Sequence, residues 1–208
     1  AVISLLLIIG FVFYKGLMPF VTEGYSFIDF IFGTEWLPSS KEFGIGAMIV
    51  TSMVATVGAL IIGVPIGILA AIFIAEICPK KYARVISTAV ELLAGIPSVL
   101  SGIFGLAVIV PAIKTVLSLP KGQSLLAVII VLSIMMLPTI ISLSETSIRA
   151  VPKAYKEGSL ALGASKIETI FKVTVPAAKS GILAGVILGI GRALGETMAV
   201  ILVAGNST

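Results

Sequence analysis

The chain has 208 residues, of which 58% are hydrophobic and 12% charged. That is too apolar for a soluble domain, since too little polar surface remains to cover the core. The net charge of +4 reports orientation across a bilayer rather than nucleic-acid binding, and the single Cys78 with no histidine excludes an internal disulfide or a Cys/His metal site.

Several apolar runs exceed the ~18 residues of a spanning helix, and none shows the ~10-residue alternation of a transmembrane strand. The sequence therefore predicts an all-α polytopic membrane protein. Ala1 to Tyr14 is apolar but short of the ~20 residues a span needs. It predicts a truncated first transmembrane helix, not a signal peptide, because no charged n-region or cleavage pattern accompanies it. Lys15 to Glu42 interleaves Tyr25, Phe27, Phe30, Phe32 and Trp36 with Glu23, Asp29 and Glu35. This suits an interfacial loop with rings at headgroup level; an aromatic ligand box is the sharper alternative.

Gly44 to Ile77 is a long apolar stretch interrupted at Gly63, Pro65 and Gly67, which predicts a kinked span or a helix broken at a transport path. Cys78 to Arg84 packs three basic residues into a short turn. Val85 to Leu117 is the next expected span, with Glu91 near one end and Gly95 and Pro97 interrupting its middle. Ser124 to Leu143 is a clean span with Pro138 near its end, and Gly181 to Ala204 is the last. Five spans are visible, and a sixth is expected beyond the end of the chain. Residues 1–43 read as the truncated helix and an extracytoplasmic aromatic loop, and residues 44–208 as the core domain.

Loop 78–84 holds Lys80, Lys81 and Arg84, and loop 144–180 holds Arg149, Lys153, Lys156, Lys166, Lys172 and Lys179. If five spans alternate, these lie on one side, opposite Lys15, Lys41, Lys114 and Lys121. The positive-inside rule puts loop 144–180 in the cytoplasm. Its apolar residues are too many for a free connection. Tyr155, Ser159 and Leu162 recur at helical spacing, as do Ile167, Ile170 and Phe171. Two short helices with Gly163 as the turn are expected, because glycine tolerates positive φ. Ser165 and Glu168 form a capping-box pattern. A short amphipathic helix followed by a glycine turn can fit a partner's groove.

The spacing Glu157-Gly158-Ser159, three residues, Gly163, nine residues, Val173-Thr-Val-Pro176 resembles the EAA motif of bacterial ABC-importer permeases. Gly158, Ser159, Val173 and Val175 depart from it by small-for-small or aliphatic-for-aliphatic changes. The resemblance implies a MetI-like helical bundle whose coupling helix fits a cleft in a cytoplasmic ATPase subunit, with Glu157, Gly158, Ser159, Gly163 and Pro176 in that element. ELLAGIPSVLSGIFGL (Glu91 to Leu106) and GRALGETMAV (Gly191 to Val200) resemble the PstC-type permeases of phosphate-specific ABC importers, over about residues 44–206 in all. The companion PstA-type permeases tend to read GETAPL where this chain reads GETMAV. That resemblance implies a second homologous permease, two ATPase subunits, an extracytoplasmic phosphate-binding protein and the lipid bilayer as partners, with no cofactor and no nucleic acid.

Arg192 and Glu196 are expected deep in the last span. Four apart, they would share a helix face and can pair, and a charge at the bilayer centre costs at least ~2.5 kcal/mol. One reading is an ion pair that only orients the helix. The other is a guanidinium facing a polar path, where its planar fork matches the oxygens of an oxyanion, with Glu196 holding it or weakening anion binding. Pro97 and Ser98 are further path candidates, since backbone amides at a helix break can line a covered path. The chain has no GxxxxGK[ST] loop and is read as a non-enzyme whose ATP hydrolysis occurs in a partner. The expected function is the permease subunit of an ATP-driven inorganic phosphate importer. A permease for molybdate or sulfate and an ion-driven secondary transporter are the alternatives, and a membrane-embedded enzyme the remotest.

Overall fold

The computed structural model describes residues 2–22, 24–37 and 42–205. Glu23 and Lys41, two of the charges weighed above, lie outside the described residues, as do residues 206–208. Contacts divide the chain into two units, Ala1–Met53 and Val54–Thr208.

The first unit opens with α1 (Val2–Thr22). The helix outlasts the expected short run, so Lys15 to Thr22 is helix and not loop. Leu17, Met18, Phe20 and Val21 continue the apolar run around the one lysine, and the 21 residues are long enough to cross a bilayer. α2 (Phe27–Phe32) starts where the Ser26 hydroxyl accepts the Asp29 amide at 3.3 Å. A small hairpin follows, with β1 (Trp36–Leu37) antiparallel to β2 (Glu42–Phe43) and Trp36 opposite Phe43. Edge-on ring contacts tie this unit together, Phe43 against Trp36 at 5.3 Å and against Tyr25 at 5.4 Å.

α3 (Gly46–Ile72) is helical straight through Pro65, so the expected break there does not occur. Gly63 and Gly67 flank the proline and bring the helix against its neighbour, where an added Cβ would meet Ser133 O at 3.4 Å and Ile140 Cγ2 at 2.8 Å. The helix ends in a π-helical turn, Phe73–Ile77. Only Cys78 and Pro79 turn the chain. Lys80, Lys81 and Arg84 therefore belong to α4 (Lys80–Ala94), because Pro79 holds the extended conformation from which a helix can start.

The stretch 85–117 is not one span. α4 is amphipathic and stops at Gly95, and a separate 19-residue candidate span runs from Ser98 to Val116. Pro97 enforces the separation, since it lacks an amide donor and biases Ile96 away from helix. The new span consists of α5 (Ser98–Phe104), a π-helical turn (Gly105–Ile109) and α6 (Val110–Val116). α7 (Leu125–Arg149) is capped by Ser124 and is longer than the clean run 124–143, with Pro138 now in its interior and Arg149 in its last turn.

Beyond it lie α8 (Lys153–Ala161), α9 (Lys166–Thr169), a π-helical turn (Ile170–Thr174) and α10 (Val175–Ala177). α11 (Lys179–Leu194) and α12 (Met198–Ala204) divide the expected last span. Among the described residues four helices are long and apolar enough to cross a membrane, and the pair Lys166–Ala177 and Lys179–Leu194, bent by 69°, allows a fifth crossing. Lys166, Glu168 and Lys172 are exposed on the first limb, which is too charged to count as a span on its own.

α7 is the hub. Met136 and Ile140 on it are fully buried among Ala59, Val131, Ala193 and Val203. A second cluster at its other end joins Ile74, Ala83, Ile148, Ile170 and Ile182. In lipid such contacts hold by close packing rather than by exclusion of water, which explains the many small residues at them.

Candidate functional site

Two interruptions of helix come together in the second unit. The first is the Gly95–Pro97 break between α4 and α5, and the second the Gly195–Thr197 break between α11 and α12. α5 and α12 pack so closely that a Cβ on Gly102 would meet the Ala199 Cα at 2.8 Å. Arg192 links the breaks from the other side: Nη2 donates to the Ala94 carbonyl at 3.4 Å, and Nη1 to Thr139 Oγ1 on α7 at 3.5 Å. Pro97 is exposed and Ser98 half-buried at the start of α5.

Arg192 sits in the last turn of α11, not half-way along a span. It does not pair with Glu196. The helix ends between them, so the four-residue spacing no longer places them on one face. Glu196 instead accepts the Ala199 amide at 3.2 Å and caps the first turn of α12, as an acidic group suits a helix N-terminus. Both side chains are half-buried. A guanidinium has five N–H donors; the two contacts it makes are long, so it can still receive an anion. Glu91 is exposed on α4.

The polar segment folds as helix, glycine turn, helix. α8 carries Glu157, Gly158 and Ser159, and Gly163 turns the chain at φ +87°. α9 opens with a full capping box in which Glu168 accepts the Ser165 amide at 3.0 Å and its own amide donates to Ser165 Oγ at 3.2 Å. The Ser165 amide and hydroxyl and the Lys172 ammonium pull the Glu168 carboxyl down to about 2. Ser159 and Thr169 hydroxyls, 3.0 Å apart, hold α8 to the end of α9. The two limbs border a groove of about 720 Å³ lined by Tyr155, Gly158, Leu162, Glu168 and Lys172 among others. Leu162 is 91% exposed at its lip. Pro176 is exposed in α10.

Two carboxylates escaped the sequence reading. Glu145, buried on α7, pairs with Arg149 at 2.8 Å and lies 2.9 Å from Ser87 Oγ on α4. Glu76, in the turn that ends α3, is ion-paired with Lys156 on α8. The i,i+4 spacing of Glu145 and Arg149 was visible in the sequence. Nothing local pointed to Glu76, whose partner is 80 residues away.

The model of the family "binding-protein-dependent transport system inner membrane component" matches residues 63–208. The chain belongs to that family and is a multi-pass protein of the inner membrane with a MetI-like permease bundle. It is 45% identical over 195 residues to a probable ABC transporter permease protein, YqgH, of Bacillus subtilis, covering 93% of this chain and 63% of that protein. It is 38% identical over 205 residues to the phosphate transport system permease protein PstC of Mesorhizobium japonicum, covering 89% of this chain and 62% of that one. The chain thus spans about three-fifths of the length of these relatives. Inward-facing structures of the MetNI methionine ABC transporter share the fold, with a TM-score of 0.54, 23% identity, and coverage of 73% of this chain and 68% of that one.

Proposed function

We propose that this chain is the path-forming part of a permease subunit in an ATP-driven inorganic phosphate importer. The observation that carries the coupling is the helix–glycine–helix of α8 and α9, with Glu157 and Gly163 at the EAA spacing and exposed Leu162 between them. α8 docks in a cleft of a cytoplasmic ATPase, with Gly158, Ser159 and Pro176 shaping the element. Residues 144–180 face the cytoplasm, residues 1–43 supply the first transmembrane helix and an extracytoplasmic aromatic loop, and residues 44–208 form the core.

Phosphate as substrate is supported by the likeness to PstC permeases and by Arg192 beside two helix breaks. The guanidinium offers parallel donors to phosphate oxygens. Glu196, four residues further on and bound to the Ala199 amide, adds negative charge to the same break and so limits the affinity, letting the anion leave as conduction requires. Pro97 and Ser98 line the same region. ATP binding in two partner ATPases moves α8 and switches the path between outward and inward access. A second, PstA-type permease and an extracytoplasmic phosphate-binding protein complete the assembly, and ATP hydrolysis belongs to the ATPases. Phosphate uptake by the reconstituted complex, with arsenate, sulfate and molybdate as competitors, tests the reading. Competition by arsenate alone supports it; preferred uptake of molybdate or sulfate would replace phosphate as the substrate.

A further inference from the structure

The C-terminal end of α3 is held by two cations from the polar segment and its border. At a helix end the last carbonyls have no partner further along the chain, and Cys78 is already extended. Arg149, at the end of α7, donates from Nη2 to the Ile74 carbonyl at 3.0 Å. Lys156, on α8, is ion-paired through Nζ with Glu76 in the same turn. The Glu76 side chain is only 12% exposed and that of Lys156 24%. A carboxylate so enclosed is unstable without its partner. Adjacent helical residues point about 100° apart, so Lys156 turns into the bundle while Glu157 beside it is exposed.

We propose that the Lys156–Glu76 pair is the tether that passes movement of α8 to α3, with Arg149 steadying the turn. The proposal rests on reading α8 as the segment that docks the ATPase. Drawing α8 away would leave an enclosed carboxylate bare, so the lower-energy response is for the turn Phe73–Ile77 to follow. A π-helical turn suits that response, because such turns occur where helices yield at functional sites. Lys156 and Glu76 are positioning residues: neither touches the transported anion.

The test uses the full-length permease with its companion permease, ATPase and binding protein in proteoliposomes, and reads ATP hydrolysis and phosphate uptake side by side. Lys156→Glu and Glu76→Lys each keep the ATPase bound and hydrolysing while uptake falls about tenfold. The double exchange recovers most of the uptake. Single reversals that transport like wild type overturn the tether, as does a double exchange no better than either single. If the reversals fail to assemble, Glu76→Gln and Lys156→Gln are scored by the same split: lost uptake with retained hydrolysis supports the tether, unchanged uptake overturns it. The phosphate reading fails separately, when wild-type vesicles hydrolyse ATP but move no phosphate. The tether is then read at Cys78, next to the turn and half-buried, in a background with no other cysteine. Maleimide labelling that responds to ATP in the wild type and not in the single reversals supports it. Labelling that ignores ATP in the wild type, or still responds in the reversals, overturns it.

Discussion

Ser87 Oγ on α4 lies 2.9 Å from both carboxylate oxygens of Glu145 on α7. Glu145 is buried, and with Arg149 its only other side-chain partner among the described residues, the hydroxyl fixes where α4 crosses α7. Glu145→Leu should lower stability by about 2 kcal/mol, the scale of a lost hydrogen bond to a charged group. Ser87→Ala should cost about half as much. Thermal unfolding of the detergent-solubilised protein checks both, and equal stability of all three proteins would refute the assignment.

The α5–α12 contact leaves no room for a methyl at position 102. An added Cβ would lie 2.8 Å from both the Ala199 Cα and Leu202 Cδ1; the leucine can rotate away, but the backbone atom cannot swing aside. Gly102→Ala should therefore part the two helices and cost about 1–3 kcal/mol, as overpacking does. Gly191→Ala meets open space and serves as the control. The same unfolding measurement separates them.

Gly163 and Gly158 make an opposite pair. Neither has a neighbour within reach of a Cβ, but Gly163 holds φ +87°. Gly163→Ala should cost about 1–2 kcal/mol through left-handed backbone strain. Gly158→Ala, inside α8, should gain roughly 0.5–1 kcal/mol from helix propensity. In a pull-down with the ATPase, Gly163→Ala should weaken capture, and Glu157→Lys should do so without unfolding the spans. Undiminished capture by both would count against docking through this turn.

Arg192→Gln should lower phosphate uptake roughly 10- to 100-fold, the equivalent of one charge-assisted hydrogen bond, with assembly intact. Arg192→Lys keeps the charge but loses the planar fork, so it should recover only part. Thr139→Val removes one long contact and should reduce uptake less than either. Unchanged uptake in Arg192→Gln vesicles would remove this residue from the path.

The capping carboxylate Glu168 titrates near 2 rather than at 4.5. Its folded value is depressed, so the stability it lends α9 is fully present above the ordinary carboxylate range and is lost as pH falls from there through about 2. ATPase capture between pH 5 and 8 should carry no dependence on this group. A carboxyl carbon-13 titration of Glu168 with a midpoint at the ordinary value would contradict the capping geometry.

Local patterns made the α8–α9 segment legible. The turn at Gly163 and the Ser165–Glu168 box need only neighbours in sequence, and both formed as read. The spans were legible as apolar mass but not in their ends. Gly95 and Pro97 announced an interruption, but the amphipathic character of α4, packed on α7, had to be seen before a kink within one span could be told from a boundary between two helices. The break after Leu194 has no proline to announce it, so Arg192 and Glu196 looked like a pair on one face. Glu76 was hidden in an apolar run because its meaning depends on Lys156, which the fold brings near.

The glycines that let helices approach α7 also decide how they can leave it. Gly63 and Gly67 come from α3, Gly105 from the π-helical turn, and Gly185 and Gly189 from α11; all face α7 side chains or backbone. The knobs at these contacts all belong to α7, with Ile140, Val131 and Met136 seated in the glycine notches, so a helix that shifts along it has only the rotamers of α7 to unseat. One helix thus sets the fit of all its neighbours, and the charged contacts at its end, Glu145 and Arg149, add fixed points to that packing.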